Sequence, residues 1–144
     1  MAQPSKHPQS PSDPGAAGGQ LGRLAAQSQL EFELEFFGTI LSRHPAFLEV
    51  LRLHAKNLAQ RKRYAEGLLI DRRIIQLCPN DPLAHYNLAC SYALLRQPDL
   101  ALTTLRRAIE LGYRDFRFMK EDRDLESIRQ DPRFRQLLRD FDER

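Results

Sequence analysis

Residues 82–115 read PLAHYNLACSYALLRQPDLALTTLRRAIELGYRD and spell two helices with their start and stop signals in place. Asp81, just ahead of the stretch, suits an N-cap, because its carboxylate accepts a backbone N–H. Pro82 suits the first helical position, where no N–H is needed. Leu83, Tyr86, Leu88, Ala89, Tyr92 and Leu95 then recur at helical spacing. Pro98 opens a second helix, with Ala101, Leu102, Leu105, Ala108 and Ile109 on its inner face. Gly112 stops that helix, since glycine enters the left-handed conformation without steric cost.

The same grammar extends outward in both directions. Upstream, Phe32, Phe36, Phe37, Ile40 and Leu41 form an apolar stripe that ends at His44-Pro45. A helix over about 46–60 carries Phe47, Leu48, Leu51, Ala55 and Leu58, and another over about 63–77 ends at Cys78-Pro79-Asn80. Downstream, Asp131-Pro132 opens a last helix with Phe134, Leu137, Leu138 and Phe141. No stretch shows sustained β alternation. Residues 1–20 are rich in Pro, Ser, Gly, Gln and Ala, with no large apolar residue after the initial methionine. Such a segment cannot offset the entropy of ordering, so a disordered tail is expected there, followed by one helical domain over 21–144.

The apolar positions repeat at an interval of 34. Pro45 and Pro79 are one such step apart; so are Ala55 and Ala89. Leu34, Leu68 and Leu102 follow the step, as do Ile40, Ile74 and Ala108, and Leu41, Ile75 and Ile109. A repeat of this length, holding two helices, marks a stack in which each pair buries its apolar face on the next.

Residue by residue, the repeat resembles the tetratricopeptide (TPR) family. The family pattern runs Trp-x2-Leu-Gly-x2-Tyr, then Ala-x3-Phe, Ala and Pro. Residues 82–115 give His85, Leu88, Ala89 and Tyr92, then Ala101, Leu105 and Ala108, with Tyr113 at the proline position. Residues 48–81 match less well, with Leu51, His54, Ala55 and Leu58, then Gly67, Asp71, Ile74 and Pro79. Residues 28–47 are similar to the second half of a degenerate repeat, with Phe37 at the Phe position. The segments Gly112–Phe116 and Asp131–Phe134 resemble those that follow the closing repeat of many bacterial members. The resemblance implies an all-α fold, a short right-handed superhelix of helix hairpins, with atypical caps. Phe32, Phe36 and Phe37 are the expected cap at one end. Phe134, Leu137 and Leu138, within a closing segment 116–141, are the expected cap at the other.

What the resemblance implies for function is binding. The first helix of each pair lines the concave face of such stacks. Its outward residues here are Glu49, Arg52, Leu53, Lys56 and Gln60, then Leu83, Tyr86, Asn87, Cys90 and Leu94. Arg52 and Lys56, one turn apart, are expected to project a paired positive charge beside Asn87. Some members hold a peptide's terminal carboxylate with bases and asparagines at similar places. Asn87 fits that arrangement and Arg117 extends it, but Lys56 replaces an asparagine and Glu121 stands where a base is usual. In the weaker repeat, His54 replaces a usual leucine and Asp71 a large apolar residue, on facing helices. A buried carboxylate needs a partner, so a His54–Asp71 hydrogen bond would account for both; the alternative is that one or both side chains point to solvent, or that the register slips locally.

Composition narrows the classes. The 144 residues include 42% apolar and 28% charged, with a net charge of +3. No run approaches the length of a membrane span, and the start carries no secretory pattern. Cys78 and Cys90 fit no metal spacing, and reduced thiols in a cytoplasmic protein are expected. The four histidines share no ligand spacing either, and no phosphate loop, GxSxG or HExxH occurs. Neither an enzyme nor a cofactor or metal site is expected. The reading is a scaffold for a protein or peptide partner, monomeric or weakly self-associating. The alternative is an anionic polymer such as nucleic acid on the basic segment 52–73. There Arg52, Lys56, Arg61, Lys62, Arg63, Arg72 and Arg73 outnumber Glu66 and Asp71.

Overall fold

The computed structural model describes residues 14–142, and these contain helices and turns but no strand. Seven α-helices follow in order: α1 (Pro14–Arg43), α2 (Leu48–Gln60), α3 (Tyr64–Leu77), α4 (Pro82–Leu94), α5 (Pro98–Glu110), α6 (Phe116–Glu121) and α7 (Pro132–Phe141). A 3-10 turn, Arg123–Ile128, joins the last two. Helices packed on their chain neighbours make an all-α superhelix, with α2/α3 and α4/α5 as its hairpins. Helix α1 starts at Pro14, ahead of the expected onset at Leu21. Residues 1–13 of the expected disordered tail lie outside the described residues.

The expected caps form. The Asp81 carboxylate accepts from the backbone N–H groups of Leu83 (3.0 Å) and Ala84 (3.3 Å), with Pro82 in the first turn. Asp131 accepts from the Arg133 N–H at 2.9 Å ahead of Pro132. Each cap satisfies donors that the helix itself leaves open, which typically stabilises by ~1 kcal/mol.

Three helices end in the same closed turn. After α2, the Arg63 N–H donates to the Leu58 carbonyl (2.8 Å) and the Lys62 N–H to Ala59 (3.0 Å). After α4, Gln97 donates to Tyr92 (2.9 Å) and Arg96 to Ala93 (3.1 Å). After α5, Tyr113 donates to Ala108 (2.9 Å) and Gly112 to Ile109 (3.0 Å). This is the Schellman pairing, which needs a left-handed residue as its pivot. The pivots are Lys62 (φ 61°), Arg96 (φ 60°) and Gly112 (φ 123°). Two of the three turns therefore carry a side chain where glycine fits best.

The core runs along the stack in two clusters. The larger is centred on α4 and α5, where Ala89, Ala101, Leu105, Ala108 and Ile109 are wholly shielded from solvent. Alanines let the two backbones approach, and the leucine and isoleucine fill the space between pairs. Gly67 does the same service between α2 and α3, for a Cβ there would sit 3.9 Å from the Leu58 Cβ. At the C-terminal end Phe134 and Leu137 are buried and Leu138 packs beside them, so the expected cap forms. At the other end the expectation needs correction. Phe37 packs inward with Leu30, Leu34 and Leu41, whereas Phe32 and Phe36 stack on each other (5.7 Å) on the outer side of α1, half or more exposed. The helical period explains the split: Phe37 shares the face of Leu30, Leu34 and Leu41, and Phe32 and Phe36 share a face turned away from it.

The turn pivots make a paired prediction. Gly112 has open space around its Cα, so Gly112→Ala changes only backbone strain and should lower unfolding stability by ~1 kcal/mol. Arg96→Gly should relieve the corresponding strain and raise stability, or leave it level once the entropy of glycine is counted. Urea midpoints of both variants check the opposite signs; a loss of ~1 kcal/mol at Arg96→Gly would contradict the assignment.

Candidate functional site

A cavity of about 410 Å³ opens between α2, α3 and α4. Its origin lies in the side chains that fail to fill it. Ala55 and Ala59 on α2 and Gly67 on α3 are small, and Asp71 occupies the place that the repeat gives to a large apolar residue. Ile74, Ala84 and Leu94 supply the remaining apolar wall, Ser91 and Cys90 part of the floor, and Asp124 one edge.

Of the ten residues expected to face a partner, six line this cavity: Arg52, Lys56, Leu83, Asn87, Cys90 and Leu94. Glu49, Leu53 and Gln60 are exposed on α2 but lie off the cavity. Tyr86 is buried at 2% exposure and turns away. Its ring stacks flat on Tyr113, centroids 4.2 Å apart, and its hydroxyl donates to Asp122 Oδ2 at 2.6 Å. Burial and the neighbouring Cys90, Asp122 and Tyr113 raise the Tyr86 hydroxyl far above its usual range, so it stays a donor. Cys90, Asp122 and Asp124 bring three ligand-type atoms within 4.8 Å of one another. Each oxygen of Asp122 already accepts a hydrogen bond, one from Tyr86 and one from the Asp124 N–H at 3.0 Å. Burial, first, and the two carboxylates keep the Cys90 thiol protonated. The cluster works as a clasp between α4 and the 3-10 turn.

The expected pair of positive charges is not symmetric. Arg52 donates to Asp81 Oδ2 at 3.0 Å and so bridges α2 to the cap of α4. Lys56 has no such carboxylate within ion-pair distance among the described residues. Asn87 is exposed across the opening. The His54–Asp71 bond does not form. The His54 Nδ1 is buried without a partner, and desolvation followed by the nearby Arg63 lowers its pKa, which keeps the ring neutral. Asp71 instead accepts from the Ser91 hydroxyl at 2.5 Å. The two side chains point to different neighbours: His54 looks to α1, where Gly38 lies beside it, and Asp71 looks to α4. Sequence reading found the anomaly at Asp71 but not its partner, since Ser91 belongs to the next repeat and carries no signal of its own.

Burial pushes the Asp71 carboxyl up to about 6, and the Ser91 hydrogen bond offsets only part of that. The charged or titratable groups around the cavity are Arg52 and Lys56 from α2, Tyr64 from α3, Cys90 from α4 and Asp124 from the 3-10 turn. A carboxyl whose folded pKa is raised holds its proton more tightly in the native state. Its stabilising protonation is fully present below about 3.8 and is lost as pH rises through about 6. Relative to Asp71→Asn, the wild type should therefore lose ~3 kcal/mol of stability between acid and neutral pH. Urea unfolding of both proteins across that range checks the sign; parallel pH profiles would show that Asp71 ionises freely.

Residues 72–103 match a family model described as tetratricopeptide repeat. The matched span holds all of α4 with the flanking halves of α3 and α5, the region where the 34-residue step is clearest. A curated relative, a chloroplastic protein of Arabidopsis thaliana, is 43% identical over 61 residues, covering 42% of this chain. The chain spans only 18% of that relative's length. A solved structure titled "MamA RS-1 ArsTM double mutant" superposes with a TM-score of 0.57 at 18% identity, over 81% of this chain and 70% of that one. No described helix is long and apolar enough to cross a membrane. Repeat period, caps and stacked hairpins agree with the matched span: residues 72–103 are similar to a tetratricopeptide repeat, and the described residues fold as a stack of helix hairpins.

Proposed function

We propose that this protein is a non-enzymatic scaffold that holds a segment of a partner protein on the concave face, across α2 and α4. The observation that carries the reading is the 410 Å³ cavity with Arg52, Lys56 and Asn87 around its opening. A recess of that size, part apolar and part polar, suits one or two side chains of an extended peptide. The bases at the opening favour an acidic residue in the partner, and complementary charge sets which segments enter. Glu49, Leu53, Gln60 and Tyr86 drop out of the binding surface on this reading, and Ala55, Gly67, Asp71 and Ser91 join it. The two free thiols fit a reducing compartment such as the cytoplasm.

The anionic-polymer reading draws on Lys62, Arg72 and Arg73, which have no carboxylate within ion-pair distance among the described residues. Against it, Arg61 and Arg63 are already paired, with Glu31 and Glu66. A peptide groove therefore accounts for more of the arrangement than a basic patch does.

Charge reversal separates the two. Arg52→Glu with Lys56→Glu should weaken an acidic peptide by roughly tenfold or more, ~1.4 kcal/mol. Fluorescence polarisation with labelled acidic peptides reads this. Affinity unmoved by the double change would remove the groove reading, and a steep fall with salt that persists in the variant would favour the polymer.

A further inference from the structure

Asp71 is the odd member of this fold. It is 8% exposed, it faces a cavity, and its hydrogen-bond partner is the neutral Ser91 hydroxyl at 2.5 Å. Buried carboxylates in stable folds are matched by a cation or by several donors, because the interior returns little of the hydration they lose. Here no cation serves. Arg52, at the opening, is committed to Asp81 at 3.0 Å, and neither Arg52 nor Lys56 contributes to holding the Asp71 charge. An apolar side chain in its place would fill the hollow and remove the penalty. The cavity thus has a negative floor, an aliphatic wall made by Ala55, Ala59, Ile74 and Leu94, and positive groups at the opening.

That order of surfaces describes the complement of one kind of ligand. A lysine or arginine side chain has an aliphatic stem and a cationic head at its end. We propose that the Asp71 cavity is a recognition pocket for a basic side chain of the bound peptide, with an acidic residue of the same peptide held outside by Lys56. The proposal rests on the groove reading above and deepens it. In this arrangement the ligand's head group brings the missing counter-charge to Asp71, its stem covers the alanine wall, and Ser91 orients the carboxylate. Asp124, at the cavity edge, adds a second negative group on the path inward. The two bases at the opening disfavour a peptide of bases alone, so the pocket selects a base with an acid beside it.

Degenerate pools of short peptides test this. All carry a fixed aspartate, and beside it a fixed lysine, arginine, norleucine or glutamate; retention on the immobilised full chain is measured at neutral pH. The wild type should retain the lysine or arginine pool about tenfold better than the norleucine pool, ~1.4 kcal/mol. Whichever base is held better identifies the head group. Asp71→Asn, of the same shape, should hold the basic pools only as well as norleucine, while still depending on Lys56. Circular dichroism verifies that this variant folds. Independently of any variant, n-butylamine should displace the basic pools from the wild type where n-butanol does not. Norleucine retained as well as lysine and arginine, or a basic preference that survives Asp71→Asn, would overturn the pocket and leave the groove standing. Retention of no pool by the wild type would remove the groove itself, and the pocket with it.

Discussion

The stack depends on how closely the two helices of a hairpin can approach. Between α4 and α5 that approach is set by Ala89, Ala101 and Ala108, all wholly buried, and between α2 and α3 by Gly67 against Leu58. Small residues at these points bring the backbones together, and Leu58, Tyr92 and Leu105 then occupy the room between successive pairs. No hairpin covers its own apolar face, so each is stable only against its neighbours. The closed turns at Lys62, Arg96 and Gly112 keep the spacing regular, because each fixes where the next helix begins. The same requirement for small residues on α2 and α3 has a by-product. Where Asp71 stands in for a bulky partner, the space is not filled, and a cavity results.

Much of the fold was legible in the residues. Asp81-Pro82, Pro98 and Asp131-Pro132 announce helix starts by chemistry that acts over a few residues, and the structure uses all three. The 34-residue step made the pairing of helices readable as well. What escaped was sidedness and length at α1. Phe32, Phe36 and Phe37 all count as apolar, but a helix turns by about 100° between adjacent residues, and only Phe37 joins the inward cluster. The start of α1 at Pro14 escaped for a different reason: the residues there carry no apolar stripe from which a helix could be read.

The candidate site was legible in part. Residues one turn apart on α2 and α4 place themselves on one face, which is why Arg52, Lys56, Asn87 and Leu94 reach the cavity. Tyr86 shares that period yet is drawn inward by Asp122, from a segment with no repeat pattern. Asp71 drew notice as a polar residue in an apolar place, but its partner comes from the following repeat, and contacts between repeats leave no mark on the spacing within one. His54 was the nearer candidate in the pattern and the wrong one in space, because it lies on the α1 side of α2.

Asp81 holds two offices. One oxygen terminates α4 by accepting from Leu83 and Ala84, and the other receives Arg52 from the preceding hairpin. A single carboxylate thus seals a helix end and rivets one repeat to the next. Any acid that bids for Arg52 from outside competes with that rivet. Its removal leaves the cap in place and releases one polar tie between the hairpins, while the apolar contacts of Ile70 and Ile74 with Ala84 still hold α3 to α4.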